Sequence, residues 1–235
     1  MTTDVPSISA PARPLGWPSI IGVALAMGWP FVFLLFSHAG SGSIADPRQD
    51  VNVLVREWSV TAAVLAIVIF WERLPLATVG LKTPKLADVG WMLMMIVVTF
   101  IGNGAAMAVG SVLTNGQPGT GAAVLAGAAA IPAGMRIALA LTAGICEEFL
   151  SRGYAIERLT ALTGNRFIGA AVPCVLFTLG HARLYGFGVS LLPILATGIA
   201  ATVLYVWRRN LIVNMVWHAL IDLFGLFFQQ ITVHH

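Results

Sequence analysis

Two adjacent carboxylates, two histidines and a third acid stand in stretches of this chain that are otherwise apolar. Glu147 and Glu148 lie in Leu139-Ala-Leu-Thr-Ala-Gly-Ile-Cys-Glu-Glu-Phe-Leu-Ser-Arg152. His181 closes Phe177-Thr-Leu-Gly-His181. Asn214, His218 and Asp222 recur every fourth residue in Asn214-Met-Val-Trp-His218-Ala-Leu-Ile-Asp222, which makes a polar stripe on an apolar helix. A buried carboxylate can take a proton from water, and an imidazole can orient that water or bind a metal. Together these groups suit hydrolysis, with a His–Asp or His–Asn face left to stabilise an oxyanion. Acids and histidines inside a membrane equally make proton relays. Glu147, His181 and His218 are also candidate metal ligands, with zinc the candidate ion. The residues do not decide whether a cofactor is used.

Glu148 and Arg152 are four residues apart, so they share a helix face and are expected to pair. Glu147 points about 100° away on a helix of 3.6 residues per turn and cannot easily use the same arginine. An ionisable group at the centre of a spanning helix costs about 2.5–3.5 kcal/mol, tolerated when the group is paired, wetted or used. The other acids read as loop or helix-end residues. No Ser or Cys sits in a nucleophile motif. Cys146 and Cys174 lack metal-ligand spacing and read as small buried hydrophobes.

The elements that must position these groups follow from composition. Of 235 residues, 58% are hydrophobic and 10% charged, where a soluble domain has about 45–50% and about 25%. Too few charges exist to coat a soluble globule, so a soluble enzyme, a disordered chain and a disulfide scaffold are excluded. A net charge of +3 is no nucleic-acid signal, and none is expected as a partner. The expected fold class is all-α: a polytopic transmembrane helix bundle in a lipid bilayer. Seven apolar segments run over 17–39, 53–71, 87–113, 132–157, 166–185, 187–207 and 210–230, and a Gly/Ala stretch at 119–130 is a re-entrant piece or an eighth helix. The expected organisation is a cytoplasmic tail at 1–16, N-terminal helices over 17–131, a catalytic core over 132–230 and a tail at 231–235.

Basic residues set the orientation. With the N-terminus inside, Arg13, Arg73, Lys82, Lys85, Arg158, Arg166, Arg208 and Arg209 are cytoplasmic, against Arg48, Arg56 and Arg183 on the other side. Counted from the cytoplasmic face at 1.5 Å per residue, Glu147, His181 and His218 lie about 18, 21 and 12 Å deep, near the middle of the bilayer. Gly102, Ala106 and Gly110 form a small-residue row, read as a helix-packing face.

The motifs are similar to those of the CPBP family of intramembrane proteases, which includes CAAX prenyl proteases of the Rce1 type and bacterial Abi proteins of bacteriocin processing and self-immunity. Glu147-Glu148-Phe-Leu-Ser-Arg152 reads as EExxxR, Phe177 to His181 as FxxxH, and His218 to Asp222 as HxxxD where that family usually shows HxxxN. The resemblance covers about residues 132–230. It implies an all-helical bundle with a cavity open to the cytoplasm and endoproteolysis of a membrane-associated protein or peptide, prenylated CAAX-type chains being the candidate substrate. By position it implies that Glu147 activates water with His181 as its partner, that His218 and residue 222 hold the oxyanion, and that Glu148 and Arg152 support the site. Family members are described both as glutamate-dependent and as metal-dependent. Asp222 departs from the pattern, because an ionised Asp accepts hydrogen bonds and does not donate them. Either Asp222 is protonated, or Asn214 supplies the donor, or Asp222 orients His218, the last being the favoured expectation.

Overall fold

The computed structural model describes residues 16–36, 47–117, 124, 127, 128 and 130–228. The expectations for the two tails and for most of the 119–130 stretch fall outside these residues. Among the described residues every element is helical and none is a strand. In chain order they are α1 (Trp17–Phe36), α2 (Pro47–Ala66), α3 (Leu86–Leu113), α4 (Ala133–Thr142), α5 (Glu157–Thr163), α6 (Arg166–Gly180), α7 (Ala182–Tyr185), α8 (Leu192–Arg208) and α9 (Leu211–Phe228). A π-helical turn, Ile67–Glu72, extends α2. Two more, Ala143–Glu147 and Phe149–Ile156, join α4 to α5 into one unbroken helical rod. Within the described residues each of the seven apolar segments read from the sequence is largely helical, with 166–185 divided at His181 into α6 and α7.

Among the described residues four helices are long and apolar enough to cross a membrane: Val51–Glu72, Leu86–Leu113, Val189–Arg208 and Leu211–Phe228. Two more, Trp17–Val32 and Arg166–Gly180, are apolar but shorter. Large apolar side chains such as Leu93, Val97, Ile101 and Val112 of α3 are exposed. In water such a face would be unstable, whereas hydrocarbon solvates it. The chain is an integral membrane protein.

The rod from α4 to α5 is the hub. Every residue of Phe149–Ile156 is buried, as expected of a helix surrounded on all sides. Phe149, Leu150 and Tyr154 pack with Ala26 and Met27 of α1, Val64 of α2, Val68 just beyond it, and Tyr205 and Leu211. A second cluster joins Met92 and Met95 of α3 to Ala201 and Leu204 of α8 and to Val213 and Trp217 of α9. The small-residue row of α3 does pack: a Cβ on Gly102 would lie 3.7 Å from Ala196, and one on Gly110 3.8 Å from Val189.

One end of the bundle is held by buried ion pairs. Arg158 grips Glu72 at 2.8 Å, and Ser19 and Tyr154 donate to the same carboxylate at 2.6 and 2.8 Å. Arg208 bonds Asp88 at 2.7 Å, and Arg209 pairs with Glu157, which also accepts from Tyr205 at 2.9 Å. Three of the basic residues assigned to one face of the membrane thus do meet at one end. The acids are less peripheral than the sequence suggested, since Asp88 and Glu157 are buried.

Candidate functional site

The site begins with a close helix crossing. At Gly144 a Cβ would sit 2.7 Å from the Met215 carbonyl oxygen and 2.9 Å from the Ala219 Cβ. Only glycine lets the π-helical turn Ala143–Glu147 press against α9 this tightly. The contacted residues directly follow Asn214 and His218 on one helix, and Gly144 lies just ahead of Glu147 and Glu148 on the other. π-helical turns are rare and recur at functional sites because the extra residue re-aims side chains.

Glu148 is fully buried and saturated. It accepts from Arg152 at 3.0 Å, from Asn214 at 3.0 Å and from His218 Nδ1 at 2.8 Å. The expected Glu148–Arg152 pair is present. Arg152 also donates to the Gly198 carbonyl at 3.2 Å and stacks 4.2 Å over the Phe177 ring. Phe177 thus serves as a platform, with its other neighbours being the rings of His181 at 4.6 Å and His218 at 6.2 Å.

Helix α6 stops at Gly180, and His181 at its C-cap keeps helical backbone angles while its ring folds back onto the preceding turn. Its Nδ1 lies 2.8 Å from the Phe177 carbonyl oxygen. A carbonyl only accepts, so Nδ1 carries the hydrogen and Nε2 of the neutral ring presents a lone pair. That lone pair faces Glu147 Oε2 at 3.8 Å, with the two side chains 24% and 20% exposed. Glu147 Oε2 has no hydrogen-bond partner. Two acceptors at this separation do not bond each other, and a proton donor bridging them would satisfy both.

His218 is likewise held through Nδ1. Nδ1 is held by Glu148, and Nε2 faces Asp222 Oδ1 at 3.7 Å, beyond hydrogen-bond range. The orienting partner of His218 is therefore Glu148 rather than Asp222, which corrects the favoured expectation. The Asn214 alternative also closes. Its two Nδ2 hydrogens go to Glu148 and to the Ala201 carbonyl at 2.8 Å, which leaves none for an oxyanion. Asp222 remains 32% exposed and within electrostatic reach of Glu147, His181 and His218.

All eight residues singled out in the sequence, namely Glu147, Glu148, Arg152, Phe177, His181, Asn214, His218 and Asp222, come together here. Of the candidate metal ligands Glu147, His181 and His218, only the first two face each other. Among the described residues no three His, Cys, Asp or Glu side chains are arranged to hold a metal ion. Both cysteines are free and buried, as expected.

One residue escaped the sequence reading. Glu57 of α2 is 4% exposed and its Oε2 has no partner, although the acid lies within an apolar segment already marked as a span. The signal was present, since position 57 is a full turn inside that segment. The sequence reading groups Glu57 with the loop and helix-end acids.

Residues 129–224 match the family model described as Type II CAAX prenyl endopeptidase Rce1-like. A search of curated proteins found no match, and a search of solved structures found none either.

Proposed function

We propose that this integral membrane protein, whose residues 129–224 make up an Rce1-like domain, is an intramembrane endopeptidase in which Glu147 activates water. The observation that carries the reading is the unpartnered Oε2 of Glu147 facing the Nε2 lone pair of His181 at 3.8 Å. The attacking water sits between them and donates one hydrogen to each. Glu147 takes a proton as the water oxygen attacks the scissile carbonyl. The oxyanion accepts from Nε2–H of a His218 ring protonated on both nitrogens, with Glu148 balancing that charge from Nδ1. Glu147 then returns its proton to the leaving nitrogen, so the products are one carboxyl and one amine terminus.

Residues 132–230 supply this chemistry, and the substrate class is a membrane-associated peptide or protein, with prenylated CAAX-type chains the first to try. The proposed setting is a bacterial inner membrane with the N-terminus in the cytoplasm. The end that carries Arg158, Arg208 and Arg209 would then face the cytoplasm.

The test is cleavage of a farnesylated CAAX-type peptide by purified protein in proteoliposomes. Glu147→Gln keeps the shape and removes the base, so kcat should fall by about 10²–10⁴-fold while the protein accumulates normally. Cleavage at the wild-type rate by that variant would overturn the reading. A second reading, a non-proteolytic immunity protein or proton relay, is favoured by Asp222, an acid where an oxyanion site would use an amide. It calls for proton flux or partner binding, sensitive to Glu147→Gln, without peptide hydrolysis.

A further inference from the structure

We propose that the site opens away from the basic end of the bundle, so that water and substrate reach Glu147 from the end where α4 begins and α9 finishes. With the basic end in the cytoplasm, the substrate is a membrane-anchored peptide segment presented on the outer face. This stands in place of the cytoplasmic opening that the family resemblance implies. The inference rests on the endopeptidase reading and narrows its substrate.

Burial changes in the same direction along all three elements that carry the site. On the central rod every residue from 148 to 158 is buried, and none from 133 to 139 is. Glu147 stands at the boundary. On α9 Asn214 is fully buried and the His218 side chain is 5% exposed, whereas Asp222 is 32% exposed. No residue from 222 to 228 is buried. On α6 Phe177 is buried, and His181, one turn further from the basic end, is partly open. Glu148, Arg152 and Asn214 thus form a closed floor, with Glu147, His181 and Asp222 above it.

The basic end is sealed over this floor. The turn around Gly80 lies across the start of α9: Leu211 N donates to the Gly80 carbonyl at 2.8 Å, and a Cβ on Gly80 would lie 2.7 Å from the Tyr205 hydroxyl oxygen. Asp88 accepts from both Arg208 and Asn210, and Arg158 bonds Thr78 Oγ1 at 3.2 Å. At the other end Arg136 donates to the Leu226 carbonyl at 3.1 Å and lies 4.5 Å from the Phe227 ring. Asp222 is about 18 Å from Asn210 along the helix axis and about 6 Å from Leu226. Partly exposed acids and a histidine at that depth need water, because hydrocarbon does not solvate them. Each hydrolysis also consumes a water. A close-packed floor admits none from the basic side, so the supply comes from the opposite end.

The test uses Lys85→Cys, at the exposed N-cap of α3 on the basic end, and Asp222→Cys. Each is treated with a membrane-impermeant charged maleimide outside sealed right-side-out and inverted membrane vesicles. The wild type, whose Cys146 and Cys174 are buried, is the blank. The two variants should label from opposite faces, each at least about tenfold faster than from its closed side. Labelling of both from one face, or no labelling of Asp222→Cys from either, overturns the inference. Lys85→Cys should label in inverted vesicles; labelling in right-side-out vesicles alone overturns the outer-face substrate. In the activity arm, a farnesylated peptide with a charged, impermeant tail is added to one face of vesicles carrying the wild type. It should be cleaved from the face that labels Asp222→Cys, and cleavage from the Lys85 face overturns the inference. A protein that labels as expected but cleaves the peptide in neither orientation overturns the endopeptidase reading and leaves the opening standing.

Discussion

His218 is oriented by Glu148: the imidazole Nδ1 lies 2.8 Å from a carboxylate oxygen that also receives Arg152 at 3.0 Å. One buried acid therefore connects an arginine of the central rod to the histidine of the last helix. The adjacent acid, Glu147, is left with no such partner. Two neighbouring glutamates thus have opposite environments, one saturated and one open. That contrast is the physical basis for giving them different roles.

The saturated acid makes a stability prediction. Arg152→Met leaves the buried Glu148 without its arginine and with only His218 and Asn214 as partners, which costs about 3–5 kcal/mol. The variant should accumulate poorly and melt well below the wild type in a thermal-shift assay. Adding Glu148→Met should recover most of the melting temperature, because an apolar pair tolerates burial. Cleavage should stay absent, since His218 has then lost its acceptor.

Asp222 makes an activity prediction of the opposite sign. An ionised carboxylate 3.7 Å from His218 Nε2 competes with an oxyanion for the same hydrogen. Asp222→Asn removes that competitor and adds a donor, so kcat on the farnesylated peptide should rise by about tenfold, less than the 10²–10³ of a full oxyanion donor. A fall in kcat would mean that the acid itself is needed.

The crossing at Gly144 has no slack. Gly144→Ala places a methyl 2.7 Å from a backbone oxygen of α9 and should cost about 1–3 kcal/mol by overpacking. The strain lies between the two carboxylates and the His218 helix. Cleavage, measured on the folded fraction, should therefore fall further than the stability loss alone explains.

Glu72 serves as a contrast. It is a buried acid bound to Ser19, Tyr154 and Arg158, with no contact to the histidines. Glu72→Ala should lower thermal stability by about 3–5 kcal/mol by stranding Arg158. The protein that does fold should keep the wild-type KM and kcat.

Much of this molecule was legible in the chain alone. Apolar runs long enough for hydrocarbon admit only helices, so composition and segment length determined an all-helical membrane bundle. Spacing then determined the local pair Glu148–Arg152 and the stripe of Asn214, His218 and Asp222, because helix geometry relates residues three or four apart. What periodicity could not reach were contacts between helices. That Glu148 rather than Asp222 orients His218 and that Asn214 has no hydrogen to offer both depend on how separate helices cross. Those crossings follow from backbone approach at Gly144 and from π-helical turns that break the 3.6-residue repeat. Neither is encoded in the spacing of the residues they bring together, so the tertiary structure alone decided which acid is satisfied and which is left open.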